Sequence, residues 1–308
     1  MRILIVKLGA MGDVVHTLPA AASLRRGYPD AEIVWVIDPK WTPLLDGNPH
    51  IDSVIALNRR SLTSVRAAAA ELREQPFDLA VDFQGLLKSG MVARASGAKQ
   101  RWGFENAELR EELAGMFYTG RAAVAARHVV DKNLELAVGA GGSVPDSPEF
   151  ALPAGELEGE LPQGPFVLAC PRAGWASKEW PVEYYAELAS LLPCPLVLNA
   201  PEAIRAAGCA SHVSRVAGLI DATRRATAVV GVDSGPLHIA AALGKPGVAI
   251  FGPTDPGRNG PYGGSIRILR VDDAVTTHKR GKTVADSMRA ITPQQVAEAL
   301  RLSTDAIS

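Results

Sequence analysis

Cysteine and long hydrophobic runs are both scarce in this chain of 308 residues. The three cysteines, Cys170, Cys194 and Cys209, are odd in number and lack the short spacing of metal ligands, so neither a disulfide framework nor a zinc site is expected. No apolar run is long enough to span a bilayer. The opening residues hold Arg2 and Lys7 before a glycine turn and lack the apolar core of a secretion signal. We therefore expect a cytoplasmic protein with reduced thiols.

The chain also lacks an excess of positive or negative charge, and this balance limits the kinds of partner that it can bind. Lysine and arginine together number 32 against 33 aspartates and glutamates, which gives a formal net charge of −1. Because a protein that neutralises phosphates along a nucleic acid needs a basic surface, no nucleic-acid partner is expected. The chain also has no H-E-x-x-H, C-x-x-C, G-x-S-x-G or Walker A motif. A metal site is therefore not indicated.

Alternating strand and helix patterns dominate the first half of the chain. Strands are predicted at the short apolar runs 2–6, 32–37, 53–57 and 79–83. Helices are predicted at the periodic stretches 14–26, 62–75 and 132–138. Since parallel sheets carry helices on both faces, this alternation predicts an α/β fold built on a parallel sheet.

The second half restarts the same alternation after a stretch with little periodicity. Residues 139–164 are rich in glycine, proline and serine, and they predict a boundary between domains at 1–150 and 151–308. Apolar runs at 166–170, 195–199, 228–232 and 247–251 predict the strands of a second sheet. Both halves therefore resemble Rossmann-like domains. The last predicted helix, 292–302, is a candidate for packing back on the first domain.

The most informative stretch is VVGVDSGPLHIAAAL, residues 229–243, where a buried strand runs directly into a helix. A helix N-terminus offers unpaired backbone N–H groups and the positive end of its dipole, so it can bind a phosphate. Asp233, Ser234 and His238 can add side-chain contacts. The structural alternative is that Ser234 or Gly235 merely caps the helix and that Pro236 occupies its first turn.

Three further polar residues follow predicted strands, at the edge where α/β sheets bind their ligands. Asp13 lies in the turn G-x-x-G-D, which lacks the G-x-G-x-x-G spacing of a dinucleotide site, and it can act as a general base or as a helix N-cap. Lys178 can neutralise a phosphate or remain a solvated lysine. Glu202 can accept hydrogen bonds from ribose hydroxyls or serve as a charge in the first turn of a helix.

Four stretches carry a family resemblance in their order and spacing: MRILIVKLGAMGDVVHTLPA, VDFQGLLKSG, SKEWP and VDSGPLHIAAALGKPGVAIFGPTDP. They resemble the glycosyltransferase family 9 heptosyltransferases of lipopolysaccharide assembly, over nearly the whole chain. The resemblance implies the GT-B architecture, in which two Rossmann-like domains with parallel sheets face each other across a cleft. It also implies acceptor binding by 1–150 and binding of the ADP-sugar donor by 151–308.

The resemblance implies an inverting transferase that needs neither a cofactor nor a metal ion. Heptose would pass from ADP-L-glycero-D-manno-heptose to Kdo-lipid A, an anionic glycolipid, at the cytoplasmic face of the inner membrane, with peripheral membrane contact. The family's general base matches Asp13. The residues that match the family's donor contacts are Lys178, Glu202, Asp233, Ser234, Gly235 and His238.

Departures from the family pattern leave several alternatives open. Ser234 stands where relatives often have threonine, and residues 173–175 lack the hydroxyl side chains that first-heptose enzymes carry before the motif lysine. Transfer of the first heptose is favoured over the second by the opening segment and by D-F-Q-G-L-L-K-S. The alternatives are heptosyltransferase II, another nucleotide-sugar transferase of the same fold, and a nucleotide-binding protein without transferase activity, in which Asp13 only caps a helix.

Overall fold

The computed structural model describes residues 1–109, 111–277 and 280–305. The chain divides into two compact units, Met1–Pro153 and Ala154–Ser308. Each unit holds one six-stranded sheet, and every strand pairing within the two sheets is parallel. Within the described ranges, none of the helices combines the length and hydropathy that a membrane span requires.

In its described residues, the first unit contains six short strands and five α-helices. Its strands are β1 Arg2–Val6, β2 Glu32–Ile37, β3 Ser53–Ala56, β4 Leu79–Asp82, β5 Gln100–Phe104 and β6 Gly120–Ala122. Its helices are α1 Met11–Val15, α2 Leu18–Gly27, α3 Leu62–Glu74, α4 Leu87–Ala95 and α5 Val129–Gly139. Three 3₁₀ segments, Pro39–Leu44, Asn106–Glu108 and Glu112–Phe117, connect them. The sheet order is β3-β2-β1-β4-β5-β6, with the buried strands β1 and β4 at its centre.

The second unit repeats this plan. Its strands are β7 Val167–Cys170, β8 Leu196–Ala200, β9 Cys209–Val213, β10 Ala228–Val232, β11 Gly247–Ile250 and β12 Ile266–Leu269. Its helices are α6 Val182–Leu191, α7 Val216–Arg225, α8 Gly235–Ala242, α9 Pro256–Asn259, α10 Asp286–Arg289 and α11 Pro293–Asp305. Helix α11 packs on α6 and on strands β11 and β12 of the same unit. The sheet order is β12-β11-β10-β7-β8-β9.

The two sheets have the same topology. Counted from the first strand of each unit, both run 3-2-1-4-5-6, which is the doubly wound Rossmann order. The strand order reverses between β1 and β4 in the first unit and between β7 and β10 in the second. Loops that leave the carboxyl ends of these strands therefore diverge, and they leave room for a ligand at the edge between them.

The predicted α/β class with parallel sheets is confirmed, whereas one predicted helix is wrong in detail. The stretch 14–26 is not one helix, because α1 begins at Met11 inside the glycine turn and ends at Val15, and α2 starts at Leu18. Pro19 lies in the first turn of α2, where its missing N–H is tolerated, but the same residue cannot continue α1. The weaker strands β5, β6, β9 and β12 were not predicted at all.

A buried carboxylate fixes the turn that follows β4. Asp82 is fully buried, and its Oδ1 accepts hydrogen bonds from the N–H groups of Gln84 (2.8 Å) and Gly85 (3.3 Å). Its Oδ2 accepts from Ser89 Oγ and from Tyr118 OH, both at 2.7 Å. Burial raises the pKa of Asp82, and the four hydrogen bonds oppose that rise. The carboxylate thus organises the chain between β4 and α4.

The turn after β4 is also tied to the turn after β1. Gln84 Oε1 accepts a hydrogen bond from Leu8 N–H at 3.2 Å, and Lys7 Nζ donates to Phe83 O at 2.8 Å. Both contacts join segments that are 76 residues apart in sequence. The two loops on either side of the order reversal are therefore held as one body in the first unit.

We expect Asp82→Asn to change how stability depends on pH. The folded-state pKa of Asp82 lies above its ordinary value of 3.8, so its contribution to folding is complete below that value. The contribution is lost as the pH rises through the folded-state pKa. The unfolding free energy of the wild type minus that of the variant should therefore fall with rising pH, by at most about 1.4 kcal/mol per unit. Urea unfolding at a series of pH values measures the difference, and a flat or rising difference would contradict the assignment.

Candidate functional site

The loops that follow β7 and β10 meet where the strand order of the second sheet reverses. Strand β10 ends at Val232, Asp233 follows directly, and Ser234 occupies the N-cap position of α8. The loop after β7 carries a 3₁₀ turn, Ala176–Lys178, before α6 begins. Because β7 and β10 are hydrogen-bonded neighbours, both loops leave the same edge side by side. The predicted strand, turn and helix around Ser234 are thus present.

Three of the predicted site residues come together at this edge. Lys178 Nζ forms an ion pair with Asp233 Oδ2 and lies 3.4 Å from the backbone oxygen of Asp233. His238 Nε2, one turn into α8, lies 3.9 Å from Asp233 Oδ1. Lys178 is only 9% exposed, Asp233 9% and His238 6%. Lys178 is therefore a buried cation held at the start of α8, not a solvated lysine.

Two hydroxyl groups on residues adjacent in sequence to this ion pair have no hydrogen-bond partner among the described residues. Ser234 has the extended backbone of an N-cap, but its side chain makes no capping hydrogen bond, and its Oγ is buried. Ser177 Oγ, next to Lys178, is likewise buried without a partner. An unpaired buried hydroxyl costs about 1–3 kcal/mol of folding free energy. These two hydroxyls therefore do not stabilise the fold. Ser234 thus occupies the predicted N-cap position with Pro236 in the first turn, but its hydroxyl does not cap the helix, and both hydroxyls can bind a ligand.

The ring of Trp175, which the sequence analysis did not include among the site residues, packs against Lys178. Trp175 lies three residues before Lys178, and the ammonium group sits 4.1 Å from the centre of its ring. The guanidinium carbon of Arg280 lies 5.4 Å from the same ring. Trp175 has an extended backbone directly before the 3₁₀ turn that ends at Lys178, and this turn brings the ammonium group over the indole ring. The i, i+3 spacing of Trp175 and Lys178 was visible in the sequence, but its meaning depended on the 3₁₀ geometry.

Glu202 stands apart from this cluster. It is exposed, follows the end of β8 and has no ion-pair partner among the described residues. No helix begins there, because the chain runs through turns to β9, so the predicted role in a first helical turn is wrong. Strand β8 neighbours β7, and Glu202 therefore leaves the same sheet edge as the Lys178 loop.

Asp13 lies in the first unit, on the short helix α1 that follows β1. Its Oδ2 accepts a hydrogen bond from Ala10 N–H at 3.1 Å, and the side chain is partly exposed. Ala10 occupies the N-cap position, so the prediction of Asp13 as the N-cap is wrong: the helix starts at Met11, which places Asp13 third in its first turn. His16 at the end of α1 is buried, and its ring meets that of His128 edge-on at 5.6 Å.

The two units therefore offer different chemistry. In the second unit, Lys178, two unpaired hydroxyls and a helix N-terminus can bind a phosphate or diphosphate. In the first unit, Asp13 offers a partly exposed carboxylate that can accept a proton. Among the residues that the structure describes, no group of three or more His, Cys, Asp and Glu side chains is placed to hold a metal ion.

Comparison with known proteins identifies relatives of nearly the full chain. Lipopolysaccharide heptosyltransferase 1 from Pseudomonas aeruginosa is 32% identical over 292 residues, which cover 86% of this chain and 82% of the relative. Lipopolysaccharide heptosyltransferase 1 from Escherichia coli K12 is 32% identical over 300 residues, which cover 88% of this chain and 93% of the relative.

A solved structure and a family model agree with these relatives. The structure of E. coli heptosyltransferase WaaC with ADP has a TM-score of 0.81 and 25% identity, and the match covers 98% of this chain and 100% of that chain. It confirms the GT-B class, two Rossmann-like units in one chain. The model of glycosyltransferase family 9 (heptosyltransferase) matches residues 65–194 and 213–288. This chain belongs to glycosyltransferase family 9.

Proposed function

We propose that the protein is heptosyltransferase I, which transfers heptose from ADP-L-glycero-D-manno-heptose to Kdo-lipid A. The observation that carries this proposal is the 32% identity, over more than four-fifths of the chain, to proteins named lipopolysaccharide heptosyltransferase 1 in two organisms. The related WaaC structure was solved with ADP, which agrees with an ADP-linked donor. The second unit would bind this donor, and the first unit would bind the acceptor.

The donor side of the mechanism rests on the second unit. Lys178 and the N-terminus of α8 would stabilise the negative charge that develops on the departing ADP, without a metal ion. Asp233 orients the ammonium group, and Ser234, Gly235 and His238 line the start of the same helix. Glu202, exposed at the end of β8, is free to accept hydrogen bonds from the ribose hydroxyls.

The acceptor side rests on Asp13. Its carboxylate would take the proton from the acceptor hydroxyl while that oxygen attacks the anomeric carbon of the heptose. The bond between the anomeric carbon and the diphosphate oxygen breaks, and its electron pair leaves with ADP. A single displacement inverts the configuration at the anomeric carbon. Because Kdo-lipid A is an anionic glycolipid, the protein would act at the cytoplasmic face of the inner membrane, in peripheral contact with it.

Replacing Asp13 by Asn should abolish transfer while leaving donor binding intact. The amide keeps the size of the side chain but cannot accept the proton, so turnover should fall by about 10²- to 10⁴-fold. The dissociation constant of ADP should not change, because Asp13 belongs to the first unit. Product mass and ADP release are followed together, with Kdo-lipid A and ADP-heptose as substrates.

Asp78→Asn is the matched control for this experiment. Asp78 precedes β4 and accepts a hydrogen bond from Arg2 N–H at the opposite edge of the same sheet, so its loss should leave turnover unchanged. Full activity of Asp13→Asn would remove Asp13 from the mechanism. Transfer only to a singly heptosylated acceptor would indicate heptosyltransferase II, and transfer only from another donor would indicate a different sugar. ADP binding without any transfer would indicate a nucleotide-binding protein.

Ser234→Ala should weaken ADP binding without lowering stability. The hydroxyl has no hydrogen-bond partner among the residues that the structure describes, so its removal loses no such bond and takes an unpaired polar group out of the interior. One lost hydrogen bond to the donor corresponds to about a 2- to 12-fold rise in the dissociation constant of ADP. Calorimetric titration and the thermal midpoint measure the two effects.

Ser190→Ala provides the comparison. Ser190 is exposed on α6 and donates to Glu187 O at 2.7 Å, so its replacement should not affect ADP binding. A Ser234→Ala variant that loses stability but keeps its ADP affinity would show that the hydroxyl serves the fold and not the donor.

A further inference from the structure

The helix that carries Asp13 is too short to hold itself in place. Helix α1 has five residues, Met11–Val15, hardly more than one turn. A helix of this length in isolation is unstable, because fixing the first turn costs more than its few hydrogen bonds return. The position of the Asp13 carboxylate therefore depends on contacts that α1 makes with the rest of the first unit.

The end of α1 is fastened by a threonine hydroxyl. Thr17 is fully buried between α1 and α2, and its Oγ1 donates a hydrogen bond to the backbone oxygen of Asp13 at 2.8 Å. This contact acts on the main chain of Asp13 itself. The side chain of Asp13 is held at its other end by the N–H of Ala10. Thr17 thus holds the main chain of the proposed base from the C-terminal side of α1.

The threonine hydroxyl is in turn held by a buried asparagine from α5. Asn133 is 1% exposed, and its Nδ2 donates to Thr17 Oγ1 at 3.1 Å and to the backbone oxygen of His16 at 3.0 Å. These residues lie more than a hundred positions apart in sequence. Since Nδ2 has two hydrogens, both are used at the junction of α1 and α2.

The start of α5 makes a second contact with the same junction. His128 is the N-cap of α5, and its Nδ1 accepts a hydrogen bond from Val130 N–H at 3.2 Å. The His128 ring packs edge-on against the His16 ring, with centroids 5.6 Å apart and an interplanar angle of 77°. Helix α5 therefore reaches the end of α1 through one ring contact and one asparagine.

We propose that Asn133 and Thr17 are positioning residues for transfer, acting through the backbone of Asp13 to set the place of its carboxylate. This inference rests on the proposed function, in which Asp13 is the base. The path runs from Asn133 Nδ2 to Thr17 Oγ1 and from that hydroxyl to Asp13 O. Both side chains are buried, so they would act through Asp13 and not by contact with a substrate.

The test compares Thr17→Val with Thr17→Ser. Valine keeps the shape of threonine but has no hydroxyl, so the bond to Asp13 O is lost, while serine keeps that bond. Because a displacement of about 1 Å at a reacting group can cost up to 10²-fold in rate, we expect kcat of Thr17→Val to fall about 10- to 100-fold. The KM for ADP-heptose and the dissociation constant of ADP should not change. Thr17→Ser should keep most of the wild-type kcat.

Thr223→Val controls for the loss of a buried threonine hydroxyl as such. Thr223 is buried on α7 in the second unit and donates to Leu219 O, four residues earlier, at 2.7 Å. The bond has the same i to i−4 geometry as that of Thr17, so Thr223→Val should lower the thermal midpoint without lowering kcat. Asn133→Asp, which exchanges the donating amide for a carboxylate, should lower kcat in the manner of Thr17→Val.

Two outcomes would overturn the proposal. Thr17→Val with normal kcat would show that the hydroxyl contributes to packing alone. Equal losses of kcat in Thr17→Val and Thr17→Ser would show that volume at this position matters and the hydrogen bond does not. The inactivity of Asp13→Asn, measured in the same assay, separates this failure from failure of the proposed function. If Asp13→Asn is fully active, the base assignment fails first.

Discussion

Parallel strands impose the constraint on which the whole molecule depends. Each connection between parallel strands must cross over one face of the sheet, and the helices change face where the strand order reverses. In both units this reversal lies beside the first strand, between β1 and β4 and between β7 and β10. The residues proposed to bind or react follow β1 in the first unit and β7, β8 and β10 in the second, at the carboxyl edge of each sheet. The sheets determine where the functional residues lie, and the loops determine which residues these are.

We propose that the ion pair in the second unit serves binding more than stability. Burying a lysine and an aspartate removes both from water, and the attraction between them recovers only part of that cost. Lys178 gains further support from the ring of Trp175, but the hydroxyls of Ser177 and Ser234 remain unpaired beside it. A site selected only for stability would have filled these positions with apolar side chains. An anionic ligand would accept hydrogen bonds from these hydroxyls and would account for the polarity of the site.

The sequence predicted the parallel sheets and the residues at the start of α8, because both depend on local patterns. Apolar runs mark buried strands, and the strand that leads into Ser234, Gly235 and Pro236 marks a helix start. The split between α1 and α2 depends on Pro19, which starts a new helix and which the helical pattern of 14–26 does not reveal. The ring of Trp175 under Lys178 and the bond from Asn133 to Thr17 could not be read in this way. They depend on a 3₁₀ turn and on contacts between distant segments.

The two units carry different charges at the carboxyl edges of their sheets, beside the reversal of strand order. In the first unit, the helix after β1 has its own anion, because the carboxylate of Asp13 accepts a hydrogen bond from the N-cap residue Ala10. In the second unit, the helix after β10 has a neutral N-cap, Ser234, whose hydroxyl has no partner among the described residues, and Lys178 beside it is paired with Asp233. In the second unit the carboxylate is paired with a cation and the N-cap hydroxyl makes no capping bond, whereas in the first unit the Asp13 carboxylate itself accepts from the N-cap N–H. This difference gives a physical reason why the first unit would supply the base and the second would hold the nucleotide.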